Sequence, residues 1–351
     1  MGRTGLAWIC IPRPGVLCDH RDPPLPLNGM ALGGREPGTS GPIKLSAVAM
    51  LRRRARTIAA FGIFGVTTSA TIARAGEPTV PAGWVSRSIP AANDREWGCA
   101  NWSRDEWIVS TAAGPLEISH RDPTKPVIAL PFKPPPATEE DITKLKGPSV
   151  VQTVPGGFLI GYDRGEFGGG LYWFSTDGRK HVRIAPPAGA RSDWFPENVH
   201  AIAEYEGTFF VFQGVSHLTL RLGRVLKVRP SGKGWRAAVF VGLDVTPEVV
   251  LQERTGVWLM ASTDGVSRIT ANGKVERLWG RPEVLVGTYP NSIARSSDGN
   301  VYVGMRAWVL RLTWAQAEAR WRADLLAPAF CIRLQLTAEG RCSCVAAEAV
   351  K

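Results

Sequence analysis

Six segments of 14 residues in this chain share one pattern, and this internal repeat limits the possible folds more than any other feature. Each copy has a short apolar stretch, a polar turn, and a second stretch rich in aromatic and β-branched residues. The ninth position is Gly in five copies and Glu106 in the first. Because Gly readily adopts the positive φ of tight turns, each copy predicts a β-hairpin. The copies cover 98–111, 149–162, 199–212, 248–261, 291–304 and 332–345.

The spacing of the copies predicts the architecture. Successive copies begin 51, 50, 49, 43 and 41 residues apart. Further strand-and-turn sequence follows some copies, as at 170–184 and 264–279, where Asp-Gly and Asn-Gly pairs mark more hairpins. About four strands per period make one blade of a β-propeller, in which stacking around an axis buries the faces of each sheet. We therefore expect an all-β protein, a six-bladed β-propeller over residues 76–351. Five or seven blades are the alternative counts, and a β-sandwich is the alternative fold.

The two ends of this domain are predicted to close the ring together. The sixth copy lies close to the end of the sequence and is followed by no outer strands. Segment 83–89 has the pattern of a strand and can supply one of them. We therefore expect the N-terminal and C-terminal segments to pair within one blade.

Residues 1–75 are predicted to lie outside the folded domain. Residues 1–49 contain seven Pro and eight Gly without periodicity, which indicates a non-globular leader or a start codon assigned too early. Residues 50–75 combine an Arg-rich start, an apolar run of 13 residues and small residues at Ala73 and Ala75, the pattern of a secretory signal peptide. A membrane anchor is the alternative, but 13 residues fall short of the roughly 20 needed to span a bilayer. We expect export to the periplasm or secretion, and no transmembrane anchor after cleavage.

Most of the net positive charge of the chain lies in residues 1–75. The full sequence has 42 Lys and Arg against 31 Asp and Glu, a formal charge of +11, which suggests an anionic partner. Ten of the basic residues and three of the acidic ones lie within 1–75, so residues 76–351 have a charge of only +4. No stripe of basic residues accompanies that charge, and we expect no nucleic-acid partner.

Four cysteines of the predicted mature domain are disulfide candidates: Cys99, Cys331, Cys342 and Cys344. Export to an oxidising compartment favours disulfides over metal binding. A bond between Cys99 and Cys331 would join the first and last inner strands and reinforce closure. Alternatively, Cys342 and Cys344 bond to each other, or one of these two bonds to Cys99. Peptide mapping without reduction is expected to link Cys99 to a C-terminal cysteine.

Two phrases of the repeat resemble a known class of proteins. PNSIARSSDGNVYVG (290–304) and TDGVSRITANGKVERLW (263–279) resemble blades of the NHL-like and gluconolactonase-like (SMP-30) β-propellers. The resemblance concerns the blades and implies the fold, since such propellers include hydrolases, lyases and binding scaffolds. It also implies that Asn291 matches the metal-binding Asn of the family's PNG motif, although Ser292 replaces its Gly. Neither the family's N-terminal glutamate nor its catalytic aspartate has an evident counterpart.

Polar residues begin several of the predicted inner strands, where a propeller opens its central channel. Carboxylate and amide oxygens at this position can hold Ca²⁺ or another divalent cation, and a hydrated polar rim is the alternative. The candidate metal ligands are Glu197, Asn198, Glu248 and Asn291. The candidate ligand-binding residues are Ser149, His200 and Trp194, an aromatic residue in an inter-blade loop that can stack on a planar ligand.

These features predict an exported propeller that binds a small-molecule or protein ligand through its channel mouth and inter-blade loops. One alternative is a metal-dependent, lactonase-like hydrolase that uses the four candidate metal ligands. A second alternative is a structural subunit of a cell-envelope assembly. None of the common nucleophile, nucleotide-binding or zinc-protease motifs occurs, and the catalytic residues, the ligand and the oligomeric state stay open.

Overall fold

The structure is a computed structural model, and it describes most of the domain predicted from the repeats. The chain divides into two compact units, Met1–Thr71 and Ile72–Lys351, and every described residue lies in the second. The predicted leader, the predicted signal peptide and Trp194 lie outside the described residues. The described residues are 80–91, 94–122, 130, 132, 149–185, 197–217, 220–232, 234–253, 256–280, 287–337 and 342–346.

Four antiparallel sheets correspond to the second, third, fourth and fifth repeat copies, and we call them blades 2 to 5. Blade 2 contains β4 (Val150–Val154), β5 (Gly157–Asp163), β6 (Gly169–Ser175) and β7 (His181–Arg183). Blade 3 contains β8 (Val199–Tyr205), β9 (Thr208–His217), β10 (Leu220–Ser231) and β11 (Gly234–Leu243). Blade 4 contains β12 (Val249–Gln252), β13 (Val257–Ser262), β14 (Gly265–Thr270) and β15 (Val275–Trp279). Blade 5 contains β16 (Ser292–Arg295), β17 (Val301–Gly304), β18 (Val309–Ala315) and β19 (Arg320–Pro328).

The repeat pattern forms the predicted hairpins in these four blades. The first two strands of each blade pair antiparallel, and the third and fourth strands follow in sequence order. Gly207 has a φ of 69°, as expected of a turn glycine. In blade 2 the positive φ belongs to Gly156 instead, and the predicted turn residue Gly157 already lies in β5. Gly157 is needed there because a Cβ atom would lie 1.8 Å from a backbone oxygen.

Stacked blades bury the apolar faces of the sheets, as a propeller requires. The inner strand β8 packs against β4 and β5 on one side and against β12 on the other, and β12 in turn packs against β16. Trp258 is fully buried between blades 3 and 4, with its ring 4.4 Å from the ring of Phe210. These contacts arrange the inner strands in order, and the chain is a β-propeller.

The first copy differs from the prediction. Its first half is the helix α1 (Glu96–Trp102) and not a strand, and its second half forms β2 (Trp107–Ser110), which pairs with β3 (Glu117–His120). The Asp94 carboxylate accepts a hydrogen bond from the backbone N–H of Glu96 and so favours a helix start here. Cys99 therefore lies on a helix, and the prediction that it begins an inner strand is wrong.

The N-terminal and C-terminal segments pair in one sheet, as predicted, but in a different blade. The strand β1 (Trp84–Arg87) pairs antiparallel with β19, so it adds a fifth strand to the outer edge of blade 5. The prediction placed this segment beside the sixth copy. That partner is wrong, because β20 (Arg333–Leu336) and β21 (Cys342–Val345) of the sixth copy form a separate two-stranded sheet.

The sixth copy packs on α1, while the first copy packs on blade 5. The strand β2 contacts β16 and β17 directly, and β20 contacts α1. The first and sixth copies thus form only two-stranded sheets among the described residues, and the predicted count of six blades is not confirmed.

Two disulfides attach the sixth copy to the rest of the domain. Cys99 of α1 bonds to Cys342 of β21, and Cys331 bonds to Cys344 of the same strand. The first bond is the predicted link between Cys99 and a C-terminal cysteine. Together the two bonds correspond to one of the pairings that the sequence left open. We call α1, β20 and β21 the C-terminal clasp.

A buried carboxylate also connects the clasp to β1. Glu96 is 2% exposed, and its carboxylate accepts hydrogen bonds from Arg87 at 2.5 and 2.8 Å. It also accepts the backbone N–H of Leu334 at 2.8 Å. Two segments near the start of the domain and one near its C-terminal end therefore meet at one side chain. Within the described part of the chain, no helix has the length and hydropathy to cross a membrane.

Candidate functional site at the channel mouth

The sequence places polar residues at equivalent points of the four complete blades. Three polar residues lie immediately before the inner strand of their blade: Ser149, Glu248 and Asn291. Each donates its backbone N–H to a carbonyl oxygen in the later part of the second strand of that blade. These N–H···O distances are 2.9, 3.0 and 2.9 Å. In blade 3 the equivalent stretch contains Glu197, Asn198 and His200. The repeat thus brings the predicted residues to one end of the inner strands, the end at which we predict the channel mouth.

Three ionisable groups from three blades interact at this mouth. Asp163 ends β5, His200 lies near the start of β8, and Glu248 precedes β12. His200 Nδ1 lies 3.6 Å from Asp163 Oδ2, and the His200 side chain is only 9% exposed. His200 and Asp163 both act electrostatically on the carboxyl group of Glu248. We call Asp163, His200 and Glu248 the mouth cluster.

Both ring nitrogens of His200 have oxygen neighbours within the protein. Its Nε2 lies 3.1 Å from the backbone oxygen of Gly214, and because a carbonyl oxygen only accepts, Nε2 carries a proton. Its Nδ1 faces the Asp163 carboxylate, whose other oxygen accepts the Gly165 N–H at 2.7 Å. Both ring nitrogens of His200 therefore face oxygen atoms of the protein.

Glu248 is the group of the cluster that lacks such partners. No described residue donates a hydrogen bond to its carboxyl group, and the side chain is only partly exposed. Desolvation by the surrounding protein raises the pKa of Glu248; the positive charge of His200 lowers it, and the negative charge of Asp163 raises it. A desolvated carboxyl group without a partner costs free energy, and such groups are frequent at functional sites.

Glu197 and Asn198, two of the predicted metal ligands, make contacts within the protein. The Glu197 carboxylate is buried and lies 3.1 Å from the Arg183 guanidinium. The Asn198 side chain accepts the Arg164 N–H at 3.2 Å and donates to the Gly165 oxygen at 2.6 Å. Both side chains therefore hold neighbouring segments in place.

Ser149 and Asn291 have different surroundings. The Ser149 hydroxyl donates to the Val199 oxygen at 2.5 Å and so joins blade 2 to blade 3. Asn291 Oδ1 accepts the hydroxyl of Ser292 at 2.9 Å, while its Nδ2 is buried and has no hydrogen-bond partner among the described residues. The Ser at position 292, where the resembled family has Gly, thus uses one acceptor site of the amide oxygen that the metal-binding prediction requires.

The metal site stays a prediction. Within the described ranges, no group of three or more His, Cys, Asp and Glu side chains is placed to hold a metal ion. Of the candidates read from the sequence, the structure brings His200 and Glu248 together. Asp163 was missed because it lies one residue beyond the second repeat copy. Its place at the end of a second strand, opposite the start of the next inner strand, was the available signal.

A short loop directly after Asp163 carries an exposed phenylalanine. Phe167 lies in the 3₁₀ turn Gly165–Phe167 and is 63% exposed. Asn198 fastens the start of this loop, and Glu166 bonds to His217 Nδ1 at 2.7 Å. At Gly169 a Cβ atom would lie 2.8 Å from the Asn198 Cα, so Gly allows the close approach. The loop, which we call the Asp163 loop, is thereby held against blade 3.

Comparison with known proteins returns similar structures but no sequence relatives. No protein-family model matches the chain, and no curated protein sequence matches it. A gluconolactonase from Xanthomonas campestris is 12% identical with a TM-score of 0.36, over 63% of this chain and 68% of its own. A virginiamycin B lyase from Staphylococcus aureus is 10% identical with a TM-score of 0.35, over 75% of this chain and 88% of its own. YCF48 bound to D1 peptide is 14% identical with a TM-score of 0.37, over 73% of this chain and 76% of its own.

The gluconolactonase belongs to the class of proteins that the two repeat phrases resemble. Identities of 10 to 14% and TM-scores below 0.4 carry no inference about activity. These neighbours therefore show the fold alone.

Proposed function

We propose that this protein is an exported β-propeller that binds a positively charged ligand at its channel mouth, with Glu248 as the anchoring group. The observation that carries the proposal is the Glu248 carboxyl group, which is desolvated and accepts no hydrogen bond from a described residue. A ligand cation would supply the missing partner and offset the desolvation of the carboxylate. His200 and Asp163 would hold the mouth in shape, since each is already paired.

Binding of two simple cations tests the proposal. Isothermal titration of the full chain with Ca²⁺ and with tetramethylammonium is expected to give a signal for at least one of them. Glu248→Gln is expected to weaken that binding at least tenfold, because an amide cannot form the ion pair. Glu117→Gln, which changes an exposed carboxylate of β3, serves as the matched control and should leave binding unchanged. Absence of binding for both cations, or equal binding by the Glu248 variant, would overturn the proposal.

Export is supported by the signal-like segment 50–75 and by two disulfides, which persist in oxidising compartments. N-terminal sequencing of the protein recovered from the periplasm or medium is expected to begin near Gly76. Recovery only from the cytoplasm, with residues 50–75 retained, would contradict export.

A lactonase-like hydrolysis is the second candidate, favoured by a carboxyl group of raised pKa beside a histidine. Such a group can act as a general acid or base on a bound substrate. Hydrolysis of glucono-δ-lactone in the presence of Ca²⁺, lost in Glu248→Gln and kept in Glu117→Gln, would support this candidate. A rate equal to that of buffer alone would remove it.

A further inference from the structure

We propose that Arg121, Arg306 and Tyr289 form a second binding site, which holds an organic carboxylate where the first repeat copy packs on blade 5. The site does not include Glu248 and goes beyond the proposed function, because it offers positive charge to an anion. The repeat pattern did not single out these three residues, since all of them lie outside the 14-residue copies.

Backbone hydrogen bonds bring separate stretches of the chain together at this site. The Arg306 N–H donates to the Thr288 oxygen at 2.7 Å, and the Arg121 N–H donates to the Glu106 oxygen at 2.7 Å. Glu106 and Arg306 form an antiparallel β-bridge. Because Arg306 follows β17 by two residues, the site lies at the same end of blade 5 as Asn291.

Two guanidinium groups share one carboxylate here. Glu106 Oε2 accepts a hydrogen bond from Arg121 Nη1 at 2.7 Å, and Glu106 Oε1 lies 3.5 Å from Arg306 Nε. The neighbouring Asp105 carboxylate pairs with His120 instead, at 3.2 Å. The three side chains that share the charge are only 26–35% exposed, so water and salt screen them incompletely. Among the described residues, one of the two positive charges is therefore left without a carboxylate of its own.

Both guanidinium groups also keep N–H donors for a ligand. Each has five donors, and the described residues accept one from Arg121 and one from Arg306, whose Nη1 donates to the Asn101 oxygen at 2.7 Å. A carboxylate suits such donors because it is planar and accepts two parallel hydrogen bonds from one guanidinium. Its single negative charge also matches the single positive charge that lacks a partner.

An exposed aromatic ring lies against one of these guanidinium groups. Arg306 Cζ is 4.2 Å from the centre of the Tyr289 ring, a cation–π contact, and Tyr289 is still 43% exposed. The φ of Tyr289 is 51°, a left-handed conformation that is costly for a residue with a Cβ atom. Strained positions of this kind are frequent where a protein holds a ligand. The ring thus orients the Arg306 guanidinium and offers apolar surface to the body of an organic anion.

Titration calorimetry of the full chain with benzoate and with inorganic phosphate tests the site. We expect benzoate to bind more tightly, because phosphate is not planar and has no apolar body. Arg121→Gln is expected to weaken benzoate binding at least about tenfold, the usual effect of losing a charge-assisted hydrogen bond. Arg268→Gln is the matched control, since Arg268 pairs with Glu276 at the same 2.7 Å, and it should leave benzoate binding unchanged.

Two further variants separate a binding site from an ion pair that only supports the fold. Glu106→Gln removes the carboxylate that competes with the ligand, so benzoate should bind about three- to tenfold more tightly. An ion pair that only supports the fold predicts lower stability and no gain in binding. Tyr289→Ala removes an exposed ring and should weaken benzoate binding by about three- to tenfold.

The outcomes distinguish this site from the proposed function. No benzoate binding, equal binding by Arg121→Gln, or no gain in Glu106→Gln would refute the site, and tighter binding of phosphate would refute the organic carboxylate. Glu248→Gln should leave benzoate binding unchanged, and a loss in that variant would contradict a separate site. If benzoate binds as expected while neither Ca²⁺ nor tetramethylammonium binds, the proposed function fails and this site stands.

Discussion

The two disulfides of the C-terminal clasp are expected to contribute very unequally to stability. Cys99 and Cys342 are 243 residues apart in sequence, whereas Cys331 and Cys344 are 13 apart. In the chain-entropy model a disulfide stabilises by restricting the unfolded chain, and its effect grows with the logarithm of the loop it closes. The long loop then corresponds to about 5.5 kcal/mol and the short loop to about 2.9 kcal/mol.

The two bonds offer a matched pair of variants. In each, one cysteine is buried and one is exposed, so Cys99→Ala with Cys342→Ser can be compared with Cys331→Ala and Cys344→Ser. Each double variant loses one buried sulfur and one exposed sulfur. The difference between them therefore reports the loop and not the polarity of the replacement.

Urea unfolding followed by tryptophan fluorescence measures the effect. We expect the free energy of unfolding to fall about 2 to 3 kcal/mol further without the long-range bond than without the short-range bond. Because a whole domain is stable by only about 5–15 kcal/mol, losing the long-range bond is expected to remove roughly a third or more of that stability. Equal losses, or a larger loss without the Cys331–Cys344 bond, would refute the entropic reasoning and point to contacts in the folded clasp.

Three further predictions follow from single side chains. Since burial raises the pKa of Glu248 above its ordinary value of 4.5, the folded chain holds that proton more tightly than the unfolded chain. The free energy of unfolding should therefore fall as pH rises above 4.5 through the folded pKa. Glu248→Gln should remove that fall, so the variant should be more stable than the original chain at pH 8. Melting curves in which the variant is not the more stable protein at pH 8 would contradict this prediction. Glu96→Gln removes the carboxylate that pairs with Arg87 and should lower the free energy of unfolding in urea by about 3 kcal/mol. A loss under about 1 kcal/mol would argue against the bridging role of Glu96. Gly169→Ala puts a Cβ atom 2.2 Å from a backbone oxygen and should cost about 1–3 kcal/mol, while Gly242→Ala, with open space around it, should cost much less.

The sequence was sufficient to predict the fold because hairpins form between residues close in sequence. Gly at the turn and alternating apolar residues determine pairing within about 14 residues, and blades 2 to 5 form as the repeat predicts. The same local reasoning failed at 98–102. There Asp94, four residues upstream of the copy, favours a helix start that the repeat pattern does not include.

The repeat predicted where some residues of the candidate site lie, but it did not predict their contacts with other blades. The periodicity brought Glu248 and His200 to one mouth, because equivalent repeat positions occupy equivalent places in each blade. It did not indicate that Glu197 and Asn198 would be held by Arg183 and by the Asp163 loop. Those partners depend on how neighbouring blades stack.

Taken alone, the sequence determined an all-β propeller with a mouth lined by polar residues, and it indicated an export segment. The tertiary structure decided the partner of β1, the pairing of the four cysteines and the isolation of the Glu248 carboxyl group. Strand and turn preferences act between residues close in sequence, so one chain displays them directly. Ring closure, disulfide pairing and desolvation depend on which distant segments meet in space, and only the packed structure specifies that.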